Sequence, residues 1–182
     1  MDQKPPHKKL MQSKKIITLS NGFTITELII AILIIGILSA VALPNYFRQL
    51  LITEQNEASS TLSQLISTVA AYADEYQDLP DRWDQLGDIN AVMTSSGPVN
   101  SSNGELTTAI TLPGGNYQVV RSNNNSGTYY VFSATPTPAN STNQNYNVMA
   151  CVDLSNGASN VKLGIQDATG KVQLSDLTCQ SP

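Results

Sequence analysis

Between Lys15 and Arg48 the chain carries one charged side chain, Glu27. The 21 residues at positions 23–43 include Ile29, Ile30, Ile32, Leu33, Ile34, Ile35, Ile37 and Leu38, and they are apolar on every side of a helical wheel. At 1.5 Å per residue a helix of that length is about 31 Å long, which matches a hydrocarbon core of about 30 Å. A segment apolar all round has no face to give to water, so it has to be sheathed in lipid or in other helices. Glu27 near its start is unfavourable there, by about 2.5–3.5 kcal/mol at mid-bilayer on insertion scales and less near the interface. That carboxylate is therefore expected to find a partner; the alternative is a Glu that merely snorkels to the interface. Gly36 and Pro44 interrupt the run. Pro44 removes a donor and disfavours helix at Leu43, so 36–44 is the expected weak stretch, in its mildest form a kink.

The chain ahead of the run is basic. Residues 1–22 hold Lys4, Lys8, Lys9, Lys14 and Lys15 against Asp2, and the positive-inside rule keeps such a leader in the cytoplasm. In an ordinary secretory signal the small residue at the cut follows the apolar region. Here Gly22 precedes it, so a cut at Gly22 leaves the hydrophobic segment on the product. An uncleaved signal anchor is the alternative.

The junction reads Asn21-Gly22-Phe23-Thr24-Ile25-Thr26-Glu27. A basic leader, then Gly, Phe, and a Glu four residues after the Phe resemble the processing site of type IV prepilins and pseudopilins over residues 22–46. The resemblance implies cleavage after Gly22 by a prepilin peptidase and methylation of the new Phe23 amine. It implies that Glu27 serves methylation and subunit docking, and that the stretch holding Gly36 and Pro44 loses helical order when subunits pack. A physical reason stands beside the docking role. A free ammonium on Phe23 and a carboxylate on Glu27 are each costly in apolar surroundings. Pairing the carboxylate of one subunit with the amine of its neighbour removes both penalties and fixes axial register.

After Pro44 an amphipathic pattern resumes. Leu51, Ala58, Leu62, Leu65, Val69, Tyr72 and Tyr76 form one apolar stripe at helical spacing. Glu54, Gln55, Glu57, Ser60, Gln64 and Asp74 fall elsewhere on the wheel. The helix is predicted to end near Gln77, because Pro80 penalises helix at Leu79. A coiled coil would need more heptads than this stretch holds. Residues 78–115 show no clear period and read as a loop. Within it Asp78, Asp81, Asp84 and Asp88 surround Trp83 and Leu86. A calcium site is conceivable from the Asp spacing, but the Gly and terminal Glu of a helix-flanked calcium loop are missing. The reading adopted is a solvated acidic loop, tucked onto the helix or sheet by Trp83 and Leu86. Strand signals follow at 117–121, 128–134 and 146–153, with turn clusters at 123–127 and after Pro136. Short segments at 161–165 and 171–174 are expected to add a hairpin across Ala168, Thr169 and Gly170. An antiparallel sheet of this kind packs one face on the helix.

Two cysteines, Cys151 and Cys179, lie in the last fifth of the chain. On an exported head they are expected to pair, tying the C-terminal tail to the third strand; two buried thiols are the alternative. The bridge would close a loop of about 28 residues and add about 3–4 kcal/mol in the chain-entropy model. In pilins a C-terminal disulfide loop delimits a surface-variable region, and this pair resembles it in position.

Composition narrows the function. Beyond residue 22 there are five basic side chains (Arg48, Arg82, Arg121, Lys162 and Lys171) against thirteen acidic ones. They are scattered, which argues against phosphate-backbone binding by one subunit. The sole histidine, His7, lies in the leader. After cleavage no His-based triad or typical zinc site is available, and no phosphate-cradling or dinucleotide fingerprint is present. Catalytic residues, metal and cofactor are therefore expected to be none. The sequons at Asn100, Asn124 and Asn140 are read as chance matches. The expected fold is α+β: a long N-terminal helix, membrane-spanning in its first half and amphipathic in its second, packed on a small antiparallel sheet. The expected organisation is a leader at 1–22, a filament-core helix at 23–44 and a head at 45–182. The head divides into helix 45–77, loop 78–115 and a sheet and disulfide region at 116–182. The resemblance implies a structural subunit of a type IV pilus, a homo-oligomeric helical filament. It would be served by the peptidase/methylase and the assembly machinery, and held in the inner membrane with its N-terminus cytoplasmic. A minor pilin, a type II secretion pseudopilin, or a membrane-anchored extracytoplasmic binding protein are the alternatives.

Overall fold

The structure, a computed structural model, describes residues 22–122, 127–137, 144–164 and 170–179. The basic leader with His7, most of the turn cluster at 123–127, the sequons at Asn124 and Asn140, and the turn residues Ala168 and Thr169 lie outside the described residues. The chain divides into two units, Met1–Leu43 and Pro44–Pro182. Helix α1, Ile25–Tyr76, contributes to both and is helical through Gly36 and Pro44.

In the first unit the described part of α1 is exposed at every position except the half-buried Ser39. Leu28, Ile29, Ile30, Leu33 and Ile35 are each more than half exposed. Among the described residues of the unit nothing covers them, as expected of a helix apolar on all sides.

The second unit is a layered α+β head. Its stretch of α1 buries Gln55, Ala58, Leu62, Leu65, Ile66, Thr68, Val69 and Tyr72. Leu62 and Val69 are 0% exposed. The helix stops where Gln77 adopts φ 53°, a left-handed residue that cannot continue it. Tyr76, placed on the stripe by spacing, is 52% exposed and stacks on Tyr72 with centroids 4.6 Å apart.

The segment read as a loop is more structured than its sequence suggests. It holds helix α2, Trp83–Ile89, the hairpin of β1, Met93–Thr94, and β2, Gly97–Pro98, and the short β3, Ile110–Thr111. These elements run two to seven residues, too short for a hydrophobic period to show. Trp83 and Leu86 are fully buried and anchor α2 in the core. The Trp83 indole N–H donates to the Thr108 carbonyl at 2.8 Å.

The main sheet is an antiparallel meander of β3, β4 (Tyr117–Arg121), β5 (Tyr129–Pro136), β6 (Val148–Asp153) and β7 (Ala158–Leu163), in that order. Val119, Tyr130, Phe132, Ala134, Val148, Ala150 and Val152 join the α1 side chains in one core. On the opposite face Val131, Met149 and Cys151 pack against Val172 and Cys179. Strand β6 is therefore buried at all six positions, with the helix on one side and the C-terminal segment on the other. That segment is not the second arm of a hairpin: residues 174–176 form a 3-10 turn. The Asn147 side chain takes up the polar groups of Val172, accepting from its N–H at 2.8 Å and donating to its carbonyl at 2.9 Å. With both groups engaged by a side chain, Val172 makes no strand ladder.

Candidate functional site

Gly22, Phe23 and Thr24 precede the helix in non-helical conformation, and Phe23 is 89% exposed. Thr24 is the N-cap. Its N–H and hydroxyl donate to Glu27 Oε2 at 2.8 and 2.7 Å, and its hydroxyl oxygen accepts from the Glu27 N–H at 3.2 Å. This is a reciprocal capping box, Thr-x-x-Glu, of a kind worth about 0.5–2 kcal/mol to a helix start. The spacing of Thr24 and Glu27 was readable in the sequence, and Thr24 is a site residue that the pattern of apolar residues alone did not single out. Within the lone chain it is Thr24 that engages the carboxylate. A charge holding two hydrogen bonds is less unfavourable in an apolar layer than a bare one.

Among the described residues the two glycines of this region have no packing reason. A Cβ built on Gly22 or on Gly36 meets nothing within 4 Å. By contrast, a Cβ on Gly164 in the head would collide with the Asn145 carbonyl oxygen.

The second group of singled-out residues is brought together as expected. Cys151 on β6 and Cys179 form a disulfide with Cα atoms 6.1 Å apart. Beside it, Asn160 Nδ2 donates to Thr178 Oγ1 at 2.8 Å, so bridge and strap close the same face of the sheet. Gln55, assigned by residue type to the polar side of the helix, is buried instead. Its Nε2 donates to the Gly164 carbonyl at 2.8 Å and to the Asn147 carbonyl at 3.4 Å. Gln55 sits three residues before Ala58 on the stripe, so its spacing carried the signal that its polarity hid.

Electrostatics in the head are local. Asp84 pairs with Arg82 at 3.1 Å. Burial, and secondarily Glu57, raises the Glu54 carboxyl; Asn116 Nδ2 donates to it at 2.9 Å. The Ser155 hydroxyl and N–H hold Asp153 below the usual carboxylate range. Among the described residues no group of three or more His, Cys, Asp or Glu side chains is arranged to hold a metal ion. A groove of 630 Å³ beside α1 is lined by Ile66, Ala70, Asp74, Val152 and Leu154 among others, and no histidine, cysteine or second carboxylate lines it.

A bare apolar helix entered through a capped Gly-Phe-Thr-x-x-Glu junction, followed in the chain by a disulfide-closed α+β head, is a pilin-like arrangement. Residues 18–43 match the prokaryotic N-terminal methylation motif. The chain is also similar to the type IV major pilin protein PilA of Myxococcus xanthus (strain DK1622), 34% identical over 68 residues. Those residues are 37% of this chain and 31% of that protein, so the match spans about a third of the relative's length. No solved structure matches the chain. Recognition of the N-terminal segment as the prepilin type, and of the fold as pilin-like α+β, is borne out. Among the described residues one helix, Ile25–Tyr76, is long and apolar enough to cross a membrane.

Proposed function

We propose that this chain is the precursor of the structural subunit of a type IV pilus, with no catalytic role. The observation that carries the reading is the capped junction at the start of the 21-residue run 23–43, which no described residue covers. A helix left bare in the subunit gains its burial either from lipid or from like helices. A filament core of bundled helices supplies the second. In this reading the leader is cut after Gly22, and Phe23 becomes the methylated N-terminus. Glu27 leaves Thr24, or shares it, to meet the Phe23 amine of a neighbour. Gly22 and Gly36, unexplained by packing among the described residues, are then explained by other molecules: the peptidase at Gly22, the packed neighbours at Gly36 and Pro44. Before assembly the subunit resides in the inner membrane with its head outside the cytoplasm, where the disulfide is stable. The major-subunit role, rather than minor pilin or secretion pseudopilin, is favoured by likeness to a protein named as a major pilin.

The test is mass spectrometry of filaments sheared from cells. The expected result is this chain as the most abundant component, beginning at Phe23 with a methylated amine. A mature N-terminus within residues 1–20, or absence of the chain from filaments, overturns the reading.

A further inference from the structure

We propose that Tyr46, Phe47 and Arg48 form a collar that docks into the headgroup layer of a phospholipid bilayer and fixes how deeply the unassembled subunit sits. The proposal rests on the membrane reading above. The apolar run ends at Leu43 after about 31 Å of helix, the whole of a hydrocarbon core. The first buried residue of α1 in the head is Gln55. Residues 44–50 are exposed throughout, so about 10 Å of helix is covered neither by a continuous apolar run nor by the sheet. A bilayer is about 40–45 Å thick with its headgroups, leaving about 5–8 Å for each headgroup layer. Residues 44–48 span about 7 Å and fill that layer.

The residue types suit it. Tyr46 and Phe47 are 63% and 57% exposed, with rings meeting edge to face at 6.0 Å. Aromatic rings favour the boundary between acyl chains and headgroups, and a Tyr body lies in the apolar side while its hydroxyl stays wet. Arg48 is the next charge in the chain after Glu27, and a guanidinium binds phosphate bidentately from a long apolar stem. Successive helical residues are about 100° apart, so the three side chains cover more than half the circumference. They spread over more than one side of the helix, where a one-sided protein contact would need a stripe.

The test uses the full chain reconstituted in phosphatidylcholine/phosphatidylglycerol vesicles carrying lipid quenchers at known depths. Tyr46→Trp, Phe47→Trp and Leu33→Trp are made singly, and the Trp83 signal of the unsubstituted chain is subtracted. The expected depths are about 15–20 Å from the bilayer centre for positions 46 and 47, and within about 5 Å of it for position 33. Adding Tyr46→Ala and Phe47→Ala to Leu33→Trp is expected to shift or broaden the depth at 33 while the head melts unchanged. Positions 46 and 47 unreached by any bilayer quencher, with position 33 central, would overturn the collar and leave the membrane reading standing. Protection of 46 and 47 only in assembled filaments would make a second copy the occupant and also overturn it. No quenching at position 33 would overturn the collar and the membrane reading together.

Discussion

Two halves of one helix use the same residue types to opposite ends. At 23–43 leucines and isoleucines surround the axis, and Leu33 is 62% exposed. From Gln55 onward the apolar residues keep to one stripe, and Leu62 is 0% exposed against the sheet. The second half is stable because its chain supplies the covering surface. The first half meets no covering surface among the described residues, and in the proposed reading it is completed by lipid or by other helices. Hydrophobicity alone does not distinguish an anchor from a core helix; the number of apolar faces does.

The largest expected break in this comparison comes from the charge at the head of the bare half. Glu27→Ala, expressed as the sole copy, is expected to retain or improve membrane insertion, because an unfavourable charge is gone. On the proposed pairing, filament yield should collapse, since a neighbour's amine would lose its counter-charge. Blotting for membrane level beside quantified sheared filaments reads both, and wild-type yield would show Glu27 to be a bystander.

The same substitution in each half sharpens the contrast. Leu62→Ala removes a side chain from a closed core and is expected to destabilise the head by about 2–5 kcal/mol. Leu33→Ala should leave head melting unchanged. Denaturant melts of both variants decide this, and equal losses would mean that the halves are not independent.

Breaking Cys151–Cys179 frees a strap that the bare half has no counterpart of. The chain-entropy model gives a loss of about 3–4 kcal/mol for a loop of this length. No thiol should be alkylated before reduction. A double Cys151→Ser, Cys179→Ser variant should melt lower yet keep some strap order through the Asn147–Val172 hydrogen bonds.

The smallest expected effect is alkaline. Burial is the main cause raising Tyr72, Tyr117, Tyr129 and Tyr130 above the ordinary phenol value, with Arg121 opposing it at Tyr130. A raised phenol favours the neutral form in the fold. Its stability contribution is complete below the unfolded value of about 10 and is lost as pH rises above it. Head stability should therefore fall above about pH 10. Residues 23–43 contain no tyrosine, so their helicity in detergent should persist. Circular dichroism alongside phenol absorbance follows both, and simultaneous loss of all helix would contradict the division.

The sequence by itself determined the bare helix, the junction from Gly22 to Glu27, the end of α1 near Gln77 and the strands within 117–121, 128–134 and 146–153. Each rests on short-range chemistry: an uninterrupted apolar run, a proline, or alternating residues. Even the Thr24–Glu27 capping box is a three-residue spacing. Tertiary structure alone decided the rest. Elements as short as α2 and β3 carry too few residues for a period, and packing of Trp83 and Leu86 holds α2 in place. Residues 171–174 became a strap because Asn147, distant in sequence, engages both polar groups of Val172. Gln55 is buried because two carbonyls, of Gly164 and Asn147, converge on it. A polar side chain is placed inside by the partners it meets there, and those partners are set by the fold around it.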